Sequence, residues 1–600
     1  MESTFKLPIY YLNNKYIVSN VIKEDIDLLP TKSSSNNDTP LENSELDISN
    51  SQYTLKHLFN PQNDNEEELI HQWASYYTNN RKFLKDSQTL YKQCKLDLIP
   101  EFYEENNQNE NKILFNRLKE LKSNDEFYAQ YNYIDWKYCS WLNNYAWFLQ
   151  LLSLYTLASP ILTLCAPIFM LLVPFFLLKF NGINLSFSGY FKSLFQLLKQ
   201  NVFAKLIINF NSVPWDKRIY MIFSVFMYVF QIYSNVQFCF RFYKNMSFIG
   251  STNKLLVNFI SRNESHVNTY SDLVEKLDTY HPFHKILTRH IGDLVHYKEN
   301  ITYLNNFKLS FHNFFSMGSL LKHYYALFHN DTLIESLYYM LDFQSYLGNI
   351  FQINSNLQNK HLNTIILKPK LASGYLHLKD VYTPIVGNRN VVKNTVKLDK
   401  QMLITGPNAS GKTTLLKATL LNVLLAQQIG CGYFAKESKI RLYDEINCYI
   451  NIPDNSGRDS LFQSEARRCK EIYDSVMNNL HKHHFCIFDE LYSGTNPYEA
   501  ISASYSFINH LSKQSNIDFM LTTHYIDLCK HLDNNSKLQN CCMKTIAQRD
   551  DFKYTYKLES SISNIRGGVK VLQDLGYPRA IVDDTRKFLE KIELLSIKKK

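Results

Sequence analysis

The chain has 600 residues, which is too long for a single hydrophobic core and predicts two to four domains. Its net charge of +9 is small for this length, so it permits contact with DNA or an anionic membrane without requiring either. The eleven cysteines form no C-x-x-C pair. This argues against a zinc site and a disulfide framework, and favours reduced thiols in a cytosol-like compartment.

The N-terminal region has two predicted parts. Residues 1–52 comprise a leader and a polar stretch, 31–52, which contains too few apolar side chains to order itself and is expected to be a disordered linker. Residues 53–137 are polar and contain few Gly and Pro residues, which predicts a helical region.

A membrane region is predicted over residues 138–245. Within it, residues 148–178 contain no charged side chain and are rich in Leu, Phe, Ile, Ala and Val. This run exceeds the ~20 residues that one membrane span requires. A second uncharged run, 219–240, is just long enough to cross a bilayer. A pair of buried core helices is the alternative interpretation.

The first run contains a proline every seventh residue, at Pro160, Pro167 and Pro174. Because proline can kink a helix or turn it back, one tilted, kinked helix and a tight hairpin both fit. The segment between the two runs is basic. It carries Lys179, Lys192, Lys199, Lys205, Lys217 and Arg218 against Asp216. The positive-inside tendency places it in the cytoplasm, whereas two simple crossings place it on the opposite side of the membrane from a cytosolic C-terminal region. Either one run does not cross, or the segment lies on the membrane surface.

The C-terminal half changes character twice. Residues 246–370 show apolar side chains at three- and four-residue spacings, which predicts a helical region. Residues 371–600 instead show short apolar runs separated by turns and contain the motifs of a nucleotide-binding domain.

The strongest motif is G-x-x-x-x-G-K-[ST] at residues 406–413, between a short apolar strand and a helix. Glycines let the backbone N–H groups surround phosphates, and the helix N-terminus favours negative charge. We expect Lys412 to reach the β- and γ-phosphates and Thr413 to hold Mg²⁺. The predicted nucleotide-binding residues of this loop are Gly406, Pro407, Asn408, Ala409, Ser410, Gly411, Lys412, Thr413 and Thr414.

Two further apolar strands end in polar residues with matching roles. The strand at 485–488 leads into Asp489 and Glu490, which is the form of a Walker B strand. Asp489 is predicted to bind Mg²⁺ through water, and Glu490 to polarise the attacking water. The strand at 519–523 ends at His524, a predicted sensor of the γ-phosphate.

These motifs resemble those of the MutS mismatch-repair family. Its T-G-P-N-M-G-G-K-S is similar to residues 405–413, its D-E-I-G-R-G-T to residues 489–495, and its A-T-H-Y-x-x-L to residues 522–528. The family's S-R-G-E-S-T-F segment aligns with residues 456–462 but departs from it, with Gly457-Arg458 for Arg-Gly and Asp459 for Glu.

The resemblance implies an α/β P-loop NTPase fold of the ABC-type, MutS-like class at 371–600, preceded by a lever-like helical region at 246–370. The apolar runs add transmembrane helices to this mostly α-helical N-terminal part. The resemblance implies Mg²⁺-dependent ATP hydrolysis and a homodimer or heterodimer formed through the ATPase domains. It also implies that Ser460 faces the nucleotide of the partner subunit, and that duplex DNA is a partner in repair or recombination. The mismatch-reading domain is not evident in the sequence.

Two functions therefore compete. The first is a DNA-acting, MutS-like ATPase tethered to a lipid membrane, with its ATPase domain facing the cytoplasm. The second is a membrane-anchored, ATP-driven mechanoenzyme without DNA recognition. A transporter ATPase fused to its membrane part fits less well, because the signature is not L-S-G-G-Q and two apolar runs are too few for a translocation path.

Overall fold

The structure of the chain is a computed structural model. It describes residues 4–30, 53–94, 104–180, 187–198, 215–304, 315–369, 376–384, 391–450, 460–548, 551–563 and 568–597. The predicted linker at 31–52 and the signature residues 456–459 lie outside the described residues.

Helices make up most of the described chain before residue 360. The α-helices are α1 (Asn20–Asp25), α2 (Thr54–Phe59), α3 (Asp64–Trp73), α4 (Arg81–Gln93), α5 (Glu105–Lys122), α6 (Phe127–Tyr131), α7 (Ala146–Phe180), α8 (Phe187–Leu198), α9 (Trp215–Val274), α10 (His281–Ile301), α11 (Met317–His329), α12 (Asp331–Gln358), α13 (Lys412–Gln428), α14 (Leu461–Asn478), α15 (Pro497–Leu511), α16 (Ile526–Leu532), α17 (Gly568–Asp574) and α18 (Arg579–Ile597). Short 3-10 helices cover Pro8–Tyr11, Ser140–Asn144, Asp278–Tyr280 and Thr302–Leu304.

Most strands lie in the C-terminal region. They are β1 (Lys15–Ile17), β2 (Tyr76–Thr78), β3 (Asn363–Thr364), β4 (Ile366–Leu367), β5 (Leu376–Val381), β6 (Asn394–Leu398), β7 (Gln401–Thr405), β8 (Cys431–Gly432), β9 (Lys439–Ile440), β10 (Glu445–Tyr449), β11 (His484–Asp489), β12 (Ile517–Thr523), β13 (Leu538–Gln548) and β14 (Asp551–Glu559).

The described chain divides into two units. The first contains residues 1–102, 268–288 and 341–600, and the second contains residues 103–267 and 289–340. The first unit is therefore larger than the predicted 371–600 domain.

A six-stranded sheet forms the centre of the first unit, in the order β10-β11-β12-β7-β13-β14. Its strands are parallel except for the antiparallel pair β13–β14. Every residue of β7 is buried, as are the first five of β11, which explains their continuous apolar sequences. Helices α14 and α15 cover one face, where Ile472 and Ile508 pack with Phe488 and Leu521. The parallel arrangement brings the ends of β7, β11 and β12 to one edge, as the α/β prediction requires.

A smaller sheet in the order β4-β9-β5-β6 belongs to the same unit. The N-terminal residues 4–30 join this unit too, which differs from the predicted leader. Phe5, Leu7 and Ile9 are buried, and β1 pairs with β2. The amide of Gln427 on α13 donates to the Thr78 carbonyl, at 3.2 Å. The burial of Phe5, Leu7 and Ile9 stabilises the packing of these residues, which the composition of residues 1–52 did not predict.

The second unit is helical. Its aromatic core includes Phe127 and Phe328, whose rings stack with centroids 3.9 Å apart. Helix α7 runs unbroken from Ala146 to Phe180, so the first apolar run forms one helix and not a tight hairpin.

Helices α7 and α9 are long and apolar enough to cross a membrane, and α9 contains the second apolar run. In the most apolar 18 residues of α7, 17% are buried, and in those of α9, 0% are buried. Buried core helices would show the opposite, so the structure disfavours that alternative.

Candidate nucleotide site

The P-loop follows β7 and ends at α13. Gly411 has φ +92° and caps the helix in the left-handed conformation, which glycine adopts without strain. A Cβ on Gly406 would lie 2.8 Å from Ser410 Oγ, so the loop turns too tightly there for a side chain. The sequence motif thus has a steric origin.

Lys412 lies inside this loop. Its ammonium donates to the carbonyl oxygens of Gly406 and Pro407, both at 3.2 Å, and lies 3.1 Å from His524 Nε2. Burial lowers the pKa of Lys412, while the carboxylates of Glu490 and Asp489 oppose that shift. The loop thus points a desolvated cation at the space where phosphates are expected.

Two threonines orient the carboxylate of Asp489. Thr413 Oγ1 donates to one carboxylate oxygen at 2.7 Å, and Thr522 Oγ1 donates to the other. The register explains the second contact, because Asp489 on β11 pairs with Thr522 on β12. The predicted metal residues Thr413 and Asp489 are therefore neighbours. Thr522, which lies in the segment similar to A-T-H-Y-x-x-L, was not predicted as a site residue and contacts the Asp489 carboxylate directly.

Glu490 occupies a strained position just after β11. Its φ of 53° lies in the left-handed region, which costs a residue with a side chain about 1–2 kcal/mol. Its backbone N–H donates to the carbonyl of Thr522 at 3.1 Å. Its carboxylate lies 2.8 Å from His524 Nε2 and 3.6 Å from Lys412 Nζ. The hydrogen bond from His524 lowers the pKa of Glu490, assisted by the charge of Lys412 and opposed by burial.

A cavity of about 670 Å³ opens beside the P-loop. Loop residues Asn408 to Thr414 and Glu490 line it, so most of the predicted nucleotide-binding residues share one space. The other lining residues are Val381, Tyr382, Thr383, Val391, Val392, Asn394, Leu415, Ala418, Met543 and Tyr556. None of these additional lining residues was predicted as a site residue from the sequence. They come from five separate stretches of the chain.

Ser460 lies elsewhere in the first unit, at the start of α14. It is exposed, and its hydroxyl accepts a hydrogen bond from the Gln463 N–H at 3.3 Å as part of a capping box. Five residues later, Glu465 accepts bonds from Ser493 N, Ser493 Oγ and Gly494 N, at 3.1, 2.8 and 3.1 Å. Helix α14 is thus fastened to the loop that follows Glu490.

The residues present fit a bound Mg²⁺–nucleotide. Ser410 Oγ is buried and has no hydrogen-bond partner among the described residues, which leaves it available to a phosphate oxygen. Thr413 and Asp489 offer the hard oxygen ligands that Mg²⁺ prefers. The cavity volume also falls within the range of small-molecule sites, about 300–1,000 Å³.

Comparison with known proteins matches residues 402–593 to the family model of MutS domain V. The C-terminal region of the chain is therefore MutS-like. The DNA mismatch repair protein MutS of Listeria monocytogenes is 25% identical over 237 residues, which cover 38% of this chain and 27% of that protein. MutS of Sorangium cellulosum is 29% identical over 243 residues (39% and 26%). The DNA mismatch repair protein spellchecker 1 of Drosophila melanogaster is 27% identical over 241 residues (38% and 26%).

The matched segment thus spans about a quarter of the length of these relatives. The matched region contains the P-loop, Asp489, Glu490 and His524, so the predicted family resemblance is confirmed for residues 402–593. Tyr382 and the N-terminal residues that complete the first unit lie before it.

Proposed function

We propose that this chain is a Mg²⁺-dependent ATPase of the MutS type, whose ATP cycle is coupled to dimer rearrangement and DNA binding. One observation carries the enzymatic part. Two contact groups lie side by side at the P-loop: Thr413 with Asp489, and Lys412 with Glu490 and His524, all within hydrogen-bond or ion-pair distance inside each group. MutS-type relatives support this assignment at the level of the family.

Each residue has a distinct role in the proposed reaction. Lys412 exchanges its carbonyl partners for phosphate oxygens, and Thr413 and Asp489 hold Mg²⁺, which neutralises phosphate charge when bound. Glu490 stays ionised because His524 donates to it, and it orients and polarises the attacking water. His524 contacts both Lys412 and Glu490, so it is placed to register a phosphate that arrives between them.

DNA binding is proposed because the matched relatives are named DNA mismatch repair proteins. Without an evident mismatch-reading domain, the contacts would go mainly to phosphates, which carry no sequence information. We expect weak duplex binding that falls steeply with salt, stimulated ATP hydrolysis, and little preference for a mismatch. A salt titration with matched and mismatched duplexes, with the ATPase rate followed in parallel, tests this. Absence of binding and stimulation at low salt would refute the DNA role.

A dimer with composite sites is proposed from Ser460, which is exposed and reachable by a second chain. A mixing experiment tests it with two inactive full-length variants, Lys412→Ala and Ser460→Asn. Asparagine keeps the helix cap and removes the hydroxyl, so α14 is preserved. A mixed dimer contains one site with both native residues, so ATPase activity should reappear on mixing. Activity that stays absent in dimers shown to be mixed would refute the composite site.

A second candidate is the membrane-anchored mechanoenzyme, and the apolar helices favour a membrane location. Pro167 has no N–H to donate to the carbonyl of Thr163, four residues earlier. The hydroxyl of Tyr228 on α9 donates to that carbonyl at 3.1 Å, and the amide of Asn235 donates to Thr163 Oγ1 at 2.6 Å. Such contacts satisfy polar groups where no water is available.

The same pattern recurs one repeat earlier. Pro160 cannot donate to the carbonyl of Thr156, and Cys239 Sγ lies 3.0 Å from that oxygen. Residue numbers on α9 fall as those on α7 rise, so the helices are antiparallel. Meanwhile Trp141, Trp147 and Trp215 are 56–74% exposed near the helix ends, where tryptophan is enriched at membrane surfaces.

Alkaline carbonate extraction tests the membrane location. The full-length chain should remain in the membrane pellet, because moving these apolar helices into water is strongly unfavourable. Release into the supernatant would refute insertion. A protein that stays in the pellet and shows no DNA-stimulated hydrolysis would favour the mechanoenzyme over the DNA-acting ATPase.

A further inference from the structure

A second cavity, of about 830 Å³, lies in the first unit at the opposite edge of the central sheet from the P-loop. It contacts Gln401, which begins β7, and Ile517, which begins β12. Those strands end at Thr405 and Thr523, next to the nucleotide site. At a rise of about 3.3 Å per residue, the strands separate the two cavities by roughly 15–20 Å. We call this cavity the basal cleft.

The basal cleft is strongly basic. Two carboxylates line it, and each is already paired: Asp399 with Lys397 at 2.6 Å, and Asp518 with Arg441 at 2.9 Å. Its six cationic side chains are Lys368, Lys397, Lys400, Lys439, Arg441 and Lys537. Four of these, the lysines other than Lys397, form no ion pair with any described residue.

The cleft wall also holds polar atoms that lack partners. The side chain of Arg441 is only 4% exposed and is fixed by Asp518, which accepts a further bond from Tyr443 at 2.9 Å. Arg441 Nε and Gln401 Oε1 are nevertheless buried without hydrogen-bond partners among the described residues. Leaving such groups unsatisfied costs about 1–3 kcal/mol each. A phosphate oxygen that accepts from Arg441 Nε would offset its cost, whereas Gln401 Oε1 is itself an acceptor and needs a donor such as an ordered water.

We propose that the basal cleft binds a small ligand carrying several phosphate groups. Converging lysines with one buried arginine match the charge of such a ligand. No Phe, Tyr or Trp is among the described residues that line the cleft, so it offers no stacking surface for exposed bases. Its volume suits a small molecule, whereas a duplex would meet only its rim.

The binding test uses the full-length chain in detergent, with the P-loop site saturated by Mg²⁺ and a non-hydrolysable ATP analogue. Inorganic tripolyphosphate is then titrated by calorimetry. We expect one further site per chain, with affinity that falls as salt is raised. The double substitution Lys400→Ala/Lys439→Ala should weaken this site at least tenfold and leave analogue binding unchanged. The control variant Lys470→Ala/Lys530→Ala removes the same charge from exposed positions outside the cleft. It should leave the binding of both the ATP analogue and tripolyphosphate unchanged.

Two outcomes would overturn the proposal: no second binding event, or a second event that the Lys400→Ala/Lys439→Ala chain retains. The source of the phosphates is resolved by flotation with phosphatidylcholine vesicles that contain or lack a polyphosphorylated inositol lipid. Recruitment that depends on the headgroup and on Lys400 and Lys439 identifies a lipid, whereas tripolyphosphate binding without such recruitment identifies a soluble ligand. Duplex DNA binding that requires these lysines, without tripolyphosphate binding, would overturn the proposal in favour of nucleic acid.

Discussion

His524 Nε2 lies 2.8 Å from the carboxylate of Glu490, so the predicted phosphate sensor contacts the predicted water-polarising group directly. The contact depends on the left-handed backbone of Glu490, with φ 53°, which turns its side chain away from the strand direction. Strained residues of this kind concentrate at functional sites. The arrangement makes the ionisation of Glu490 depend on its neighbour.

Replacing Glu490 with Gln should preserve ATP binding and slow hydrolysis by about 10²–10⁴-fold, because only the proton-accepting group is lost. Single-turnover kinetics and equilibrium nucleotide binding separate the two effects. Glu499→Gln is a suitable control, since Glu499 is exposed and hydrogen-bonds Thr495 at 2.8 Å. Normal turnover by Glu490→Gln would remove this residue from the proposed role.

Replacing Thr522 with Val should raise the Mg²⁺ concentration required for half-maximal ATPase activity by about 10–100-fold. Valine keeps the shape but cannot donate to Asp489, so the carboxylate loses one of its two orienting bonds. Nucleotide binding without Mg²⁺ should not change. Thr419→Val is the matched control, because Thr419 is equally buried and donates only to the Leu415 carbonyl. An unaltered Mg²⁺ dependence in Thr522→Val would contradict the positioning role.

Replacing Tyr228 with Phe should destabilise the pairing of α7 and α9, because the Thr163 carbonyl then loses its hydroxyl donor. The loss should disappear in a Pro167→Ala background, where residue 167 regains an N–H that reaches the same carbonyl within the helix. A double-mutant cycle on detergent-solubilised chain measures the coupling, expected at about 0.6–2 kcal/mol. Additive effects would show that the two residues do not share the carbonyl.

Replacing Gly318 with Ala should destabilise the second unit by about 1–3 kcal/mol. The added Cβ would lie 2.1 Å from the carbonyl oxygen of Ala146, where α11 meets the start of α7. Gly292→Ala is the matched control on α10, with nothing within 4 Å of its Cβ, and should stabilise by about 0.5–1 kcal/mol. Thermal unfolding of both variants checks the prediction. Equal changes in unfolding temperature for Gly318→Ala and Gly292→Ala would refute the close approach of α11 to the start of α7.

Stability should fall as the pH drops below the ordinary histidine range, partly because of His484. Burial lowers the pKa of this imidazole in the folded state, although Asn479 and Glu445 oppose the shift. The unfolded chain therefore takes up the proton first, so protonation favours unfolding from about pH 6.5 downward. The free energy of unfolding, measured with denaturant, should fall less between pH 7.5 and pH 5.5 for His484→Asn than for the native chain. His510→Asn, at an exposed position, should behave like the native chain.

The sequence determined the parts of this protein that depend on neighbouring residues. The P-loop, the acidic pair Asp489–Glu490 and the uncharged runs are contiguous, so local chemistry predicted their roles and their secondary structure. The seven-residue proline repeat was equally visible. The repeat alone left one kinked helix and a hairpin both open, and the structure shows a single helix, α7.

Tertiary structure decided what the distant segments contribute. Strand pairing brought Thr522 to Asp489, and burial joined residues 4–30 to the first unit although composition suggested a leader. The lysines of the basal cleft are dispersed from Lys368 to Lys537, and only the meeting of two sheets collects them. The physical reason is that these features arise from pairing and burial between residues far apart in the chain, whose partners a one-dimensional pattern does not specify.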